Sequence, residues 1–223
     1  MHVGLIGGIG PAATDVYYRG LVARLAEAGA DLEMTIAHAD TSTLLANLAA
    51  GRAAEQCAIF GGLTDRLAVA GAEAVAITAI SGHFCIDALA ERSPLPILDM
   101  VDAVAAHLQA EQLLRVGILG TASVMETGMY GRLRTAEIIA PEGESLHAVH
   151  EAYVALARAG RATEEMRDTF VAAGAEMVER GAEAVLLGGT DLAVVFDGAA
   201  DGPFPVVDCA QVHIDRIAAA AMS

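Results

Sequence analysis

The chain has 223 residues, 55% of them apolar, with 13 basic residues against 29 acidic ones and a formal charge of −16. That length suits one large domain or two small ones. The charge argues against nucleic acid or an anionic membrane as partner. It leaves room for a small anion, because backbone N–H groups can make a site locally positive.

No run of about 18 charge-free apolar residues occurs, so no membrane span is expected. The start lacks the basic residues and cleavage site of a signal peptide, and cytoplasmic location is the expectation. Cys57, Cys85 and Cys209 form neither a CxxC pair nor a zinc spacing, and their number is odd. They read as free thiols of a reducing compartment, with no metal site.

Residues 2–6 predict a strand. Gly7-Gly8-Ile9-Gly10-Pro11 follows, then a helix over about 12–28, with Pro11 suited to its first turn. A second strand is predicted over 32–37, helices over 43–50 and 53–70, and a short apolar strand over 74–78. Apolar runs alternating with helices mark a parallel sheet covered on both faces.

A repeat organises the rest. Gly71-Ala72-Glu73-Ala74-Val75 recurs as Gly181-Ala182-Glu183-Ala184-Val185, an offset of 110, and Val3 to Gly8 is echoed by Val116 to Thr121, an offset of 113. Pro94 to Asp99 is echoed in turn by Pro203 to Asp208. One set of βα units used twice predicts an α/β chain of two pseudo-symmetric, doubly wound lobes with parallel sheets. The expected boundaries are 1–98 with 208–223 for one lobe and 99–207 for the other. A last helix over 208–221, capped by Asp208, returns to lobe one. Open parallel sheets bind ligands at the carboxyl ends of their strands, so the crevice between the lobes is the expected site.

These segments resemble the aspartate/glutamate racemase superfamily, in its aspartate-racemase branch. Gly4 to Pro11 with Thr14 and Tyr17-Tyr18 is similar to the family's opening. Val116 to Tyr130 is similar to its second-lobe opening. Leu187-Gly188-Gly189-Thr190-Asp191 stands for the family's Leu-Gly-Cys-Thr-Glu, and Pro205 to His213 for its terminal Pro-x-x-Asp…His stretch. The resemblance implies a cofactor-independent enzyme, a homodimer, and two thiols that remove and return an α-proton on opposite faces of an amino acid.

Both thiols are missing. Aligned through Gly71-Ala72-Glu73 and His83, the first cysteine falls on Ala79, the neighbouring asparagine on Ile80 and the threonine on Ser81; the second cysteine falls on Gly189. Val124 takes a position where the family usually has threonine. A methyl group and a hydrogen cannot accept a proton.

Two residues offer themselves as acid–base groups instead: His83, at a predicted helix start whose dipole favours the neutral ring, and Asp191, in place of the family glutamate. Gly8, Ile9, Ala79, Ile80, Ser81, Gly82, Thr121, Gly189 and Thr190 are the expected ligand-binding positions, through hydroxyls and helix-start N–H groups. Thr78 should point away from the cleft by strand alternation. Cys85 is expected on a helix as an inert buried thiol, and Tyr17 and Tyr18 in packing. His213 and Asp208 read as structural. Arg158 and Arg161 fall near a lysine region of the family. The implied ligand is a small carboxylate, an amino acid or a dicarboxylate. It is turned over by proton transfer without two thiols or, alternatively, only bound by a non-catalytic relative or partner subunit.

Overall fold

The computed structural model describes residues 1–8, 10–196 and 202–223. Its elements in chain order are β1 (Val3–Gly7), α1 (Pro11–Glu27), β2 (Met34–His38), α2 (Thr41–Ala49), α3 (Ala53–Val69) and β3 (Ala74–Ile77). A 3₁₀ turn (Ile80–Cys85), α4 (Ile86–Arg92), α5 (Met100–Ala110), β4 (Arg115–Leu119), α6 (Ala122–Gly131) and β5 (Glu137–Ile139) follow. The chain then forms α7 (Gly143–Ala159), α8 (Glu164–Glu179), β6 (Ala184–Leu187), a second 3₁₀ turn (Thr190–Leu192), α9 (Ala193–Phe196), β7 (Val206–Asp208) and α10 (Cys209–Ala221).

The chain divides into two compact units, one of residues 1–100 and 213–223, the other of 101–212. Each holds a parallel sheet, ordered β2-β1-β3 in the first and β5-β4-β6-β7 in the second. In the first, Ile97 bridges in parallel to Val75, where β7 pairs with β6 in the second. Strands β1, β3 and β6 are buried throughout, as their unbroken apolar sequence requires.

The repeated words have one structural meaning. Gly71 and Gly181 both take positive φ, 93° and 97°, which favours glycine. The alanine after each closes the preceding helix, Ala72 N–H to Leu67 O at 2.9 Å and Ala182 N–H to Met177 O at 3.0 Å. Each glutamate turns its carboxylate onto the start of the neighbouring strand, Glu73 to His2 N–H at 2.7 Å and Glu183 to Leu114 and Arg115 N–H at 2.6 and 2.8 Å. Gly4 and Gly117 admit the facing helix: a β-carbon there would lie 3.0 Å from Leu67 and 3.1 Å from Met177.

Caps set several boundaries. Asp40 accepts from Thr43 N–H at 2.7 Å, so α2 starts at Thr41, two positions before the predicted 43. Asp208 accepts from Ala210 and Gln211 N–H at 2.8 and 3.2 Å and starts α10. The end of α10 packs within the first unit. The N-terminal ammonium donates to Ala221 O at 2.9 Å, and Ile214 lies 3.0 Å from where a β-carbon on Gly20 would be.

One packing expectation needs correction: Tyr18 is 49% exposed, and only Tyr17 of the pair points inward. Cys85 is buried, as expected, and closes the 3₁₀ turn ahead of α4. No helix among the described residues is long and apolar enough to cross a membrane.

Candidate functional site at the strand ends

In the first unit the carboxyl end of β3 leads into Thr78 and Ala79. The Thr78 hydroxyl turns back to β1, donating to Ile6 O at 3.3 Å and lying 3.4 Å from Thr14 Oγ1. Ala79 is extended (φ −148°, ψ 134°), and it belongs to the apolar cluster of Phe60, Val75, Ile77 and Leu89. Its carbonyl accepts from Gly82 N–H at 3.1 Å and from His83 Nδ1–H at 3.0 Å. The Gly82 N–H is thereby spent inside the turn and is not offered to a ligand.

His83 is buried. With its proton on Nδ1, its Nε2 accepts from Met100 N–H, the first residue of α5, at 3.3 Å, with Asp99 Oδ1 3.9 Å away. A general base needs an unengaged lone pair. The ring nitrogens are instead divided between the strand end and the start of α5, a positioning arrangement. Ile80 is buried, and Ser81 is half-buried with a hydroxyl that makes no hydrogen bond among the described residues.

Gly8 has φ 92°, and a β-carbon on it would fall 2.3 Å from the His38 ring. Its N–H donates to Thr14 Oγ1 at 2.7 Å and its carbonyl accepts from Thr41 Oγ1 at 2.5 Å. The loop is thus held by threonines, and the Gly8 N–H is engaged. Ile9 lies outside the described residues.

The second unit repeats this geometry. Gly189 follows β6 in the same extended conformation (φ −138°, ψ 126°), and its carbonyl accepts from Leu192 N–H at 3.0 Å. Glycines let the ends of β4 and β6 meet: a β-carbon on Gly188 would fall 2.8 Å from Leu119 O. Thr121 caps α6 through Val124 N–H at 3.4 Å. Thr190 is buried, and its hydroxyl makes no hydrogen bond among the described residues.

Helix α7 supplies what the sequence reading missed. Its inward face carries Val149, Tyr153 and Leu156, all buried, with His150 beside them. His150 Nδ1 accepts from Ala122 N–H at the start of α6, at 3.2 Å. Tyr153 donates to Asp191 Oδ2 at 3.2 Å. A β-carbon on Gly189 would lie 2.2, 2.5 and 2.7 Å from Cε2, Cζ and Oη of Tyr153. The phenol end of Tyr153 therefore fills the place of a residue-189 side chain. A polar tyrosine and histidine on an otherwise apolar helix stripe, together with a bare glycine on a buried strand end, were the available signals.

Asp191 is 8% exposed. Burial pushes its carboxyl above the usual carboxylate range, against the lowering effect of the Tyr153 hydrogen bond. Burial likewise pushes the Tyr153 phenol well above its ordinary value, with the Asp191 charge adding to it. Arg158 is exposed and lines a shallow groove with His150, Glu151, Val154 and Ala155; Arg161 is exposed beyond the end of α7.

All three cysteines are buried and free. Cys85 donates to Gly82 O at 3.6 Å, and burial pushes its thiol up to about 12; burial also raises Cys209. Neither Cys85 nor Cys209 is poised as a thiolate. Among the described residues no three His, Cys, Asp or Glu side chains gather as a metal ligand set.

Two units, each built on a parallel sheet with glycine- and threonine-bearing strand ends, define an α/β protein of repeated design. The sequence profile of the Asp/Glu/hydantoin racemase family matches residues 6–217, and the chain belongs to that family. It is similar to the structure of a candidate Asp/Glu racemase from Yersinia pestis, at 26% identity and TM-score 0.89, with 100% of both chains covered. An aspartate racemase homologue from Pyrococcus horikoshii OT3 matches at 22% identity and TM-score 0.83, over 100% of this chain and 99% of that one. Glutamate racemase from Francisella tularensis, solved with D-glutamate, matches at 14% identity and TM-score 0.65, over 99% and 81%. The last two likenesses concern the fold.

Proposed function

We propose that this chain binds a small carboxylate, an amino acid or dicarboxylate, at the carboxyl ends of its strands, and that it does not racemise by two thiols. The observation that carries the second half is the pair Ala79 and Gly189. They hold matching extended conformations after β3 and β6, yet neither bears a group that can carry a proton. Support for the ligand class comes from family membership and from the hydroxyls of Ser81 and Thr190 at those strand ends, which make no hydrogen bond among the described residues. If the chain turns its ligand over, the reaction is a proton transfer without organic cofactor, with Asp191 as acid–base candidate.

A second reading, a non-catalytic binder or partner subunit, is favoured by one observation. His83 has both ring nitrogens engaged by backbone groups. Incubation with amino acids and dicarboxylates in deuterium oxide separates the readings. Incorporation of deuterium at the α-carbon supports turnover. Thermal stabilisation by a carboxylate without incorporation supports binding alone. Neither effect with any member of the panel overturns the proposal.

A further inference from the structure

We propose that the Tyr153 ring is a plug latched by Asp191: it closes the strand end of the second unit, and a ligand reaches that end only by displacing it. The inference rests on the carboxylate-binding reading above and adds a conformational step to it.

The starting point is whose atoms occupy the strand end. A side chain on residue 189 would stand just past the carboxyl end of β6, and the Tyr153 ring already lies there, with Oη 2.7 Å from that β-carbon position. The ring belongs to another element, α7, and its tie to the strand end is the hydrogen bond from its hydroxyl to Asp191 Oδ2. At 3.2 Å that bond is long for a hydroxyl donating to a carboxylate, so the latch is a weak one.

The closed state also carries a desolvation cost. Asp191 is 8% exposed and Tyr153 6%, and burial pushes both the carboxyl and the phenol above their ordinary ranges. Turning the ring outward returns both polar groups to water, which offsets part of the apolar burial that is lost. A phenylalanine in the same place would have no such return. When the ring leaves, the extended backbone at Gly189 and Oδ2 of Asp191 are uncovered together. Thr190, between them in the chain, is buried with a hydroxyl that makes no hydrogen bond among the described residues, and it can donate to a carboxylate that enters.

The chain has 4 tyrosines and no tryptophan, so its tyrosines can be followed one by one. In the full chain labelled with 3-fluorotyrosine, the fluorine resonance absent from Tyr153→Phe is that of the plug. Aspartate, glutamate, malate and succinate serve as probes, with affinities from calorimetry. A probe that binds is expected to carry the Tyr153 resonance toward its position in urea, saturating along the calorimetric curve. Tyr153→Leu, shown by circular dichroism to be folded, has a shorter side chain to displace. Wild-type affinity is reduced by the fraction of molecules that are open, so this variant should bind about five-fold or more tightly. Binding by Tyr153→Leu alone also supports the plug. If that variant does not fold, the fluorine readout on the wild-type sequence decides. Binding that leaves the Tyr153 resonance at its buried position, or a folded Tyr153→Leu that binds no more tightly than wild type, overturns this inference and leaves the carboxylate-binding reading standing. No binding of any of the four probes to either protein removes both.

Discussion

Tyr17 donates its phenolic proton to Nδ1 of His213 over 2.8 Å, joining residues 196 positions apart. Nε2 of the same ring donates to Leu98 O at 2.7 Å, so the neutral imidazole is satisfied on both sides with no exposure to water. Burial, and then the neighbouring His83, push the His213 ring down to about 3 from its ordinary 6.5. The neutral ring is the one the fold binds. Its contribution is complete above the unfolded value of about 6.5 and is lost as pH falls from there toward 3, at about 1.4 kcal/mol per pH unit. Urea midpoints measured at pH 7 and pH 5 should fall more steeply for wild type than for His213→Gln. Parallel slopes would contradict the assignment.

The same pair makes Tyr17→Phe costly without creating a cavity. Removing the hydroxyl leaves the buried Nδ1 lone pair unmet, a loss of about 1–3 kcal/mol. Chemical denaturation at pH 7 reads it directly. A change under about 0.5 kcal/mol would mean that the bond is not maintained in solution.

Much of this architecture was legible because it is local or repeated. Gly-Ala-Glu-Ala-Val specifies a helix end, a positive-φ turn and a strand start within five residues, so its two copies place β3 and β6 from sequence alone. That residues 79 and 189 are alanine and glycine, neither able to carry a proton, was equally readable, being a matter of identity. The partners of these positions were not. Tyr153 precedes Gly189 by 36 residues and reaches it only because α7 packs across the strand ends. His83 read as a candidate base for the opposite reason: a helix-start histidine looks available until the backbone N–H of Met100, 17 residues on, is seen to occupy its Nε2. Packing between distant elements decides which polar atoms remain free, and periodicity does not encode that.

The cysteines should behave as interior residues. With Cys85 held up to about 12 and all three sulfurs buried, the native chain should react with iodoacetamide or a disulfide dye far more slowly than the chain in urea, which should expose three thiols. Addition of a binding carboxylate should leave the native rate unchanged. A fast-reacting thiol shielded by ligand would instead restore a sulfur to the site.

The buried carboxyl of Asp191 makes stability depend on pH. Its carboxyl is raised by burial, so the folded state holds the proton more tightly than the unfolded state does. That contribution is full below the ordinary value near 3.8 and is lost as pH rises through the folded value, leaving a penalty at pH 7. Asp191→Asn removes the charge and still accepts from Tyr153. It should therefore melt higher than wild type at pH 7, by about 1 kcal/mol or ~2–4 °C, and the advantage should shrink as pH is lowered toward 4. A lower melting temperature at pH 7 would mean that an unseen donor already compensates the carboxylate.

The packing of Tyr153 onto Gly189 makes a reciprocal prediction. A methyl group on residue 189 would meet the phenol ring at 2.2–2.7 Å, which no real contact shows, so Gly189→Ala must displace the ring or the strand end. Overpacking of this kind costs about 1–3 kcal/mol. Tyr153→Ala empties the space and costs about 3–5 kcal/mol through lost burial and a cavity. In the double variant the new methyl occupies room that the ring has left, so the two losses should not add. The combined cost should fall at least 1 kcal/mol short of their sum. Additive losses would mean that the ring and the glycine do not share that space, and the account of why residue 189 carries no side chain would fail with them.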